Sequence, residues 1–186
     1  MTAVRRPANR VRIIGGRWRS RLVKFPPTMS LRPTPDRVRE TLFNWLGQRL
    51  DGLACLDLFA GSGALGFEAM SRGAARVTMV ERDREVVNAL RANARELAAE
   101  ALDIVQGDAL AFLANDKERY DVVFLDPPYA SDLAQQALDR LASHLAGNAR
   151  VYVETAAALT PGAAWRVLRE DRAGAVRYAL FEPVTP

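Results

Sequence analysis

The chain of 186 residues is 49% hydrophobic and 26% charged, which fits one globular domain with a small extension and excludes a disordered chain. No apolar run reaches the length of about 18 residues that a membrane span needs, and the N-terminus lacks the apolar core of a secretory signal. The single cysteine, Cys55, has no partner for a disulfide or a cysteine-based metal site. We therefore expect a cytoplasmic protein without a bound metal.

Positive charge is concentrated at the N-terminal end of the chain. Residues 1–40 contain 11 Lys and Arg residues and two acids, whereas the remainder contains 15 basic and 20 acidic residues. Nearly all of this charge is carried by Arg, whose planar guanidinium pairs with phosphates and stacks on bases. The pattern indicates a polyanionic partner, although a solvated Arg-rich tail would have the same composition.

A basic β-hairpin is predicted within these first residues. Val11–Gly16 and Arg21–Phe25 have the character of two short strands, and Trp18 lies in the connection between them. Cations alternate with this aromatic residue as they do on nucleic-acid-binding surfaces, but a lone Trp also commonly anchors a core. We assign residues 1–30 to a basic tail and hairpin, and residues 31–186 to the main domain.

Strand-like and helix-like segments alternate through the main domain. A helix is predicted from an N-cap at Asp36. Further helices are predicted at Ala64–Arg72, Arg84–Ala99 and Leu133–Leu145, core strands at Leu53–Leu58, Val77–Glu81, Ile104–Gln106, Tyr120–Leu125 and Val151–Glu154, and a closing hairpin at Trp165–Glu170 and Val176–Phe181. This alternation predicts an α/β fold, a Rossmann-like, doubly wound and mostly parallel sheet of seven strands with a C-terminal antiparallel hairpin.

A glycine-rich loop follows the first predicted core strand. It starts after Asp57 and includes Gly61, Ser62 and Gly63, so the backbone can approach a ligand closely at the start of a helix. Glu81 ends the next predicted strand, where a carboxylate accepts hydrogen bonds from ribose hydroxyls. The spacing is compatible with either a dinucleotide or S-adenosylmethionine.

Three features favour S-adenosylmethionine over NAD. Asp57 would repel a pyrophosphate but can hydrogen-bond to a methionine ammonium, directly or through water. Asp108 follows the third predicted strand and can accept a bond from an adenine amino group. The segment Asp126-Pro127-Pro128-Tyr129 follows the fourth predicted strand and has no role in hydride transfer.

This last segment combines an acid, two prolines and an aromatic ring at the carboxyl end of a central strand. Pro ends the strand because it has no N–H for the ladder. The Asp126 carboxylate and the Pro127 carbonyl can accept the two N–H bonds of an exocyclic amine, while Tyr129 stacks on the ring. We expect the amine to belong to an unpaired or flipped base. The other interpretation is a strand-ending turn that contains these residues by chance.

With these motifs the chain resembles class I S-adenosylmethionine-dependent amino-methyltransferases. The segments Arg12-Ile-Ile-Gly-Gly-Arg17 and Arg32-Pro-Thr-Pro-Asp-Arg-Val-Arg-Glu-Thr-Leu-Phe-Asn-Trp45 are similar, more narrowly, to the bacterial RsmD family. The resemblance covers residues 11–182. It implies methylation of the N2 amine of one guanine, guanine 966, in 16S rRNA of the small ribosomal subunit. We expect a monomer, since nothing in the sequence calls for more.

The expected site residues follow from the motifs and from this resemblance. The catalytic residues are Asp126, Pro127 and Tyr129. The residues that bind S-adenosylmethionine are Asp57, Phe59, Gly61, Ser62, Gly63, Glu81, Arg82, Asp108, Ala109 and, by the resemblance, Thr34. The residues that bind RNA are Arg12, Arg17, Trp18, Arg19, Arg21, Lys24 and Arg37. For Thr34 and Arg37, helix capping and a surface ion pair are equally good interpretations.

Three other functions remain open from the sequence. A DNA or RNA adenine-N6 methyltransferase shares the Asp126–Tyr129 motif, but such DNA enzymes usually carry a separate target-recognition domain for which this chain has no room. A NAD-dependent enzyme shares only the glycine loop and Glu81. A non-catalytic RNA-binding assembly factor of the same fold predicts decay of the loop or of the acceptor motif, and both are complete here.

Overall fold

The computed structural model describes residues 9–27, 34–128, 131–156, 159 and 161–184. The predicted domain boundary after residue 30 and the predicted catalytic Tyr129 lie outside these residues. Within them, no helix has the length and apolarity needed to cross a membrane.

The secondary structure alternates as the sequence predicts. The strands are β1 Asn9–Arg12, β2 Leu22–Phe25, β3 Ala54–Asp57, β4 Arg76–Glu81, β5 Leu102–Gln106, β6 Tyr120–Leu125, β7 Leu145–Thr155, β8 Trp165–Ala173 and β9 Val176–Pro183. The helices are α1 Asp36–Trp45, α2 Ala64–Ser71, α3 Arg84–Glu96, α4 Ala109–Asn115 and α5 Leu133–Leu138, with short 3-10 helices at Gly16–Trp18 and Leu141–His144.

In the described part of the chain, seven strands form one sheet in the order β5-β4-β3-β6-β7-β9-β8. The five strands from β5 to β7 are parallel, whereas β9 runs antiparallel to both β7 and β8. The doubly wound sheet and its C-terminal antiparallel hairpin are therefore confirmed.

The strand order reverses at β3. The chain builds outward from β3 through β4 to β5 and then returns to place β6 on the other side of β3. Crossover connections on either side of such a point diverge, which leaves a crevice at the carboxyl ends of β3 and β6. This crevice is where the fold places a ligand.

Both faces of the sheet are buried at its centre, where β3, β4, β6 and β7 consist largely of buried residues. Successive residues of a strand point to opposite faces, so Cys55 packs with α1, α2 and α3 while Leu56 packs with α4 and α5. Strands buried on both sides need continuous apolar sequence, which explains runs such as Tyr120–Leu125. The sheet is thus a rigid support for the residues at its edge.

The N-terminal hairpin of β1 and β2 packs on α2 and α3. Its apolar residues join the same core as the main sheet: Val11, Ile13, Trp18, Val23 and Phe25. Trp18 is 7% exposed, its backbone N–H donates to Ser71 Oγ at 2.9 Å, and the Arg17 guanidinium covers its ring at 4.3 Å. The ring therefore anchors the hairpin, which is the other interpretation that the sequence left open, and a contact between Trp18 and RNA stays a prediction.

A buried carboxylate connects the hairpin to the main domain. Glu68 of α2 is fully buried and accepts hydrogen bonds from the backbone N–H groups of Ile14 at 2.9 Å and Gly15 at 2.8 Å. Its carboxylate also pairs with Arg39 at 3.3 Å and Arg72 at 2.8 Å. Arg39 is itself fully buried, so each charge compensates the burial of the other.

Some predicted elements differ from those observed. Asp36 starts α1 as predicted, but its carboxylate pairs with Arg39 instead of capping the helix. The predicted helix Leu133–Leu145 ends at Leu138 and is followed by the short 3-10 helix Leu141–His144. Leu145 belongs to β7, where it pairs with Tyr120 at the start of β6. Helix α4 was not predicted, although Asp108 caps it with a side-chain hydrogen bond.

Replacing Glu68 with Gln should destabilise the fold by about 3 kcal/mol, because removing one member of a buried ion pair leaves Arg39 and Arg72 undercompensated. Urea unfolding measures this loss.

The matched control is Glu96→Gln, which removes a half-exposed pair with Lys24 on the same side of the molecule. A surface pair of this kind contributes less than about 1 kcal/mol. Equal losses for the two variants would contradict the role assigned to Glu68.

Candidate active site

The acids predicted to bind ligands lie at the carboxyl edge of the sheet, around the reversal point. Asp57 ends β3 and Asp126 follows β6, and these two strands are hydrogen-bonded neighbours in which Asp57 is level with Phe124. The charge of Asp57 contributes to raising the pKa of Asp126, although less than burial and Glu154 do. The structure therefore brings the predicted cofactor acid and the predicted catalytic acid into one site.

The Asp57 carboxyl is held by the glycine-rich loop. It is 1% exposed, and its Oδ2 accepts a hydrogen bond from the Gly66 N–H at 3.0 Å. Its Oδ1 is buried and has no hydrogen-bond partner among the described residues. Burial raises the pKa of Asp57 to about 7. An ammonium group is the kind of donor that such a carboxyl would accept.

The loop itself is tightly packed. Gly63 has φ +78°, and a Cβ there would come within 2.6 Å of Leu90 and 2.7 Å of Phe67. Ser62 is buried, and its Oγ accepts from the Ala64 N–H at 3.4 Å. Glycine at position 63 thus allows the loop to turn directly into helix α2, whose Gly66 N–H donates to Asp57.

Glu81 connects the loop to the end of β4. Its Oε2 accepts from the Gly61 N–H at 3.0 Å and its Oε1 from the Asp83 N–H at 2.8 Å. Each carboxylate oxygen can accept a second hydrogen bond, so Glu81 can still accept bonds from ribose hydroxyls in this geometry. The neighbouring Arg82 is exposed, and Phe59 is half-buried.

Asp108 has a structural role that the sequence analysis did not assign. Its Oδ1 accepts from the N–H groups of Leu110 at 3.0 Å and Ala111 at 2.9 Å, which caps α4. The side chain is exposed at the carboxyl end of β5, while Ala109 is buried. A contact between Asp108 and an adenine amino group stays a prediction.

Asp126 contacts residues that the motif does not contain. The Thr34 Oγ1 lies 3.2 Å from Asp126 Oδ2 and 3.2 Å from Glu154 Oε2, and the Tyr152 hydroxyl donates to Glu154 Oε2 at 3.0 Å. Thr34 was predicted to bind cofactor, and its observed contacts are with these acids. Burial, followed by the charge of Glu154, raises the pKa of Asp126 well above its usual value, and burial raises that of Glu154.

A cavity of about 270 Å³ opens beside this cluster. Asp126, Pro127, Pro128 and Glu154 form one side of it, and residues of α5 and the end of β7 form the other. Pro127 is buried and lines the cavity next to Asp126. Its lining combines apolar residues such as Pro127, Ala134 and Leu159 with the carboxyls of Asp126 and Glu154, which suits a flat ring that carries an amine.

Glu154 is the main site residue that sequence reasoning missed. It is 7% exposed and ends the parallel part of β7, one strand away from Asp126. The sequence contained a pattern that could have identified Glu154, because this acid ends the apolar run Val151–Glu154. The same pattern identified Glu81. Within the described residues, no group of three or more His, Cys, Asp and Glu side chains is placed to hold a metal ion.

The predicted RNA-binding cations divide into paired and freely exposed side chains. Arg12 pairs with Asp36 at 3.2 Å, Lys24 pairs with Glu96 at 3.2 Å, and Arg21 donates to the Glu96 carbonyl at 3.4 Å. The exposed side chains for which no ion pair is observed among the described residues are Arg17, Arg19 and Arg37, although the charge of Arg37 contributes to lowering the pKa of Asp171.

The chain matches the family model described as "Conserved hypothetical protein 95" over residues 11–182. It is 43% identical to ribosomal RNA small subunit methyltransferase D of Escherichia coli K12 over 94% of this chain and 91% of that protein. It is 44% identical to the protein of the same name from Haemophilus influenzae over 92% of this chain and 93% of that one.

Solved structures agree with these sequence comparisons. The yhhF protein of Escherichia coli superposes with a TM-score of 0.87 at 44% identity, covering 94% of this chain and 98% of that one. A ribosomal protein L11 methylase from Lactobacillus delbrueckii, at 18% identity and a TM-score of 0.70, shares the fold. The chain therefore belongs to the RsmD family, the family of the ribosomal RNA small subunit methyltransferase D proteins.

Proposed function

We propose that this protein transfers a methyl group from S-adenosylmethionine to the exocyclic N2 amine of a guanine in 16S rRNA, guanine 966 by family resemblance. The observation that carries the proposal is the position of Asp126, which lies beside Asp57 at the reversal point and at the rim of a cavity for a flat ring. The names of the two relatives support ribosomal RNA of the small subunit as the substrate. We propose that the protein acts as a monomer.

The residues of the loop fit S-adenosylmethionine, which supplies an electrophilic methyl group when bound. Asp57 Oδ1 is an unpartnered buried acceptor for the methionine ammonium, Glu81 has capacity for ribose hydroxyls, and Asp108 for the adenine amine. Phe59 and Ala109 would pack beside the adenosine, and Arg82 lies at the exposed rim. These residues would hold the cofactor at the carboxyl ends of β3, β4 and β5, next to β6, where Asp126 lies.

Asp126 acts on the nucleophile. The lone pair of a guanine N2 amine is delocalised into the ring, so the nitrogen is a poor nucleophile unless its hydrogens are bound by acceptors. Asp126 and the Pro127 carbonyl accept these hydrogens, which favours a more tetrahedral nitrogen and aims its lone pair at the methyl group. Asp126 then stabilises the positive charge that develops and accepts the proton that the methylated amine loses. Tyr129 follows directly and stacks on the flipped base.

The exposed cations of the hairpin bind the phosphates around the target. Arg17 and Arg19 lie on the connection between β1 and β2, which packs rigidly on α2 through Trp18. Arg37 lies on α1, close enough to Asp171 and Tyr178 for their charges to interact. Arg12, Arg21 and Lys24 already have partners in the protein, so their contribution to RNA binding requires breaking these contacts.

Asp126→Asn should reduce methylation of 16S rRNA at least about 100-fold, since the carboxylate that orients the amine and accepts its proton is lost. Transfer of a labelled methyl group to small-subunit particles and to naked 16S rRNA measures this, with cofactor binding by calorimetry as the control for folding. Full activity of the variant would overturn the mechanism. Label in DNA or at an adenine, in place of the guanine, would overturn the substrate.

Replacing Arg17 and Arg19 together with Ala should weaken RNA binding and make the affinity less dependent on salt, by about two units in the slope of log K against log [salt]. Filter binding at several salt concentrations measures both quantities. The control is Arg76→Ala, which removes a half-exposed Arg at the start of β4, where it pairs with Glu118. An unchanged slope in the double variant would show that RNA binds elsewhere.

Cofactor binding near pH 7 should release up to about half a proton from Asp57. Its pKa of about 7 in the ligand-free protein leaves it partly protonated, and an ammonium contact favours the ionised form and lowers that pKa. Calorimetry in buffers of different ionisation enthalpy measures the proton release. We expect the release to vanish in Asp57→Asn, and a buffer-independent binding heat for the wild type would contradict the contact.

A further inference from the structure

Four side chains beside the cavity form a hydrogen-bonded group that we call the acid–hydroxyl cluster: Thr34, Asp126, Tyr152 and Glu154. They come from three separate parts of the chain, namely the segment before α1, the end of β6 and the end of β7. Thr34, Tyr152 and Glu154 are all at most 7% exposed, while Asp126 is half-buried and faces the cavity. The cluster therefore connects a buried acid to the acid that faces the substrate.

The number of hydrogens in the cluster constrains its charge. Thr34 Oγ1 lies 3.2 Å from an oxygen of each carboxyl, but a hydroxyl has one hydrogen to donate. If both carboxyls were ionised, one of these two contacts would join oxygens with no hydrogen between them. A single proton on either carboxyl satisfies both contacts, because that acid donates to Thr34 and Thr34 donates to the other.

The surroundings of the two acids also favour a single negative charge. The charge of Asp57 on β3 also acts on Asp126, the Tyr152 hydroxyl on β7 donates to Glu154, and Arg39 of α1 donates to the backbone carbonyl of Thr34. Neither Asp126 nor Glu154 is in an ion pair with any residue that the structure describes. Burial, with the neighbouring carboxylate, raises the pKa of Asp126 well above its usual value, and burial raises the pKa of Glu154.

We propose that Asp126 and Glu154 share one proton through the Thr34 hydroxyl, and that this proton moves to Glu154 when the substrate amine binds to Asp126. Thr34 and Glu154 are positioning residues, since they act through Asp126. The role in turnover rests on the proposed methyl transfer, whereas the sharing of the proton is a property of the protein alone.

The proton movement conserves every atom and charge. Asp126 gives its proton to Thr34 Oγ1 while Thr34 gives its own hydrogen to Glu154 Oε2. Asp126 thereby becomes ionised, Glu154 becomes protonated, and Thr34 again carries one hydroxyl hydrogen. Tyr152 continues to donate to Glu154 Oε2 throughout. The amine N–H favours this exchange because it donates to an ionised Asp126. After methylation, Asp126 accepts the surplus proton of the amine, and the cluster is then neutral until it releases that proton to solvent.

A titration of the protein without RNA tests the sharing directly. Nuclear magnetic resonance of isotope-labelled carboxyl carbons follows each acid, with assignments from Asp126→Asn, Glu154→Gln and Asp57→Asn. We expect the wild-type pair to lose its two protons in separate steps that both signals report, because interacting acids titrate as a pair. In Glu154→Gln, Asp126 should titrate in one step that lies between the two wild-type steps. Independent single steps in the wild type would overturn the proposal.

The pH dependence of single-turnover methyl transfer tests the role in catalysis. The wild-type rate should fall at alkaline pH when the shared proton is lost, whereas Glu154→Gln has no proton to lose and should keep its rate there. Thr34→Val should lower the rate about tenfold or more without weakening cofactor binding, and Thr34→Ser should restore it. The control Glu118→Gln removes an exposed carboxylate at the opposite end of β6 and should keep the wild-type profile.

These outcomes separate the two proposals. If Asp126 and Glu154 titrate as a pair but the protein does not methylate 16S rRNA, the shared proton is supported and the proposed function is overturned. Methylation with identical alkaline profiles for the wild type and Glu154→Gln would leave the function in place and overturn the role of Glu154.

Discussion

Burial of carboxyl groups at the point where the strand order reverses is the constraint on which the site depends. The fold leaves a crevice between β3 and β6, and the chain fills its walls with Asp57 and Asp126. Removing such groups from water is costly unless donors are supplied. The start of α2 supplies one to Asp57, and Thr34 supplies one to Asp126. The site is thus suited to ligands that bring donors of their own, and the proposed function would supply an ammonium at Asp57 and an amine at Asp126.

The same requirement explains how the N-terminal hairpin is attached. Glu68 is buried at the centre of the contact between the hairpin, α1 and α2, where two backbone N–H groups and two Arg side chains satisfy it. Apolar packing by Trp18 and its neighbours supplies the buried apolar area of this contact, and the charge network around Glu68 fixes the orientation of the hairpin. The surface that carries Arg17 and Arg19 is therefore rigid relative to the cofactor loop, since both lie against α2.

The features predicted successfully from the sequence are those that repeat along the chain. Alternating elements predicted the sheet, and acids placed after successive strands predicted that Asp57, Glu81 and Asp126 would lie along one edge, because parallel strands end at the same edge. Thr34 and Glu68 depend on contacts between segments distant in sequence, which no local pattern encodes. Trp18 shows the limit of composition, because an aromatic residue among cations is compatible with an exposed surface and with an anchor, and burial decides between them.

Helix α2 has eight residues, so it is only about 12 Å long, yet the cofactor loop begins it and the hairpin rests on its last turns. Transplanting the hairpin onto another methyltransferase would require a recipient helix with an acid at the position of Glu68 and a hydroxyl at the position of Ser71. The recipient would also need a buried guanidinium like that of Arg39 on α1. Without them the graft would bury unpaired N–H groups. The hairpin and the helix are therefore expected to be inherited as one unit, so that the exposed surface of the hairpin changes by substitution and not by exchange of the hairpin.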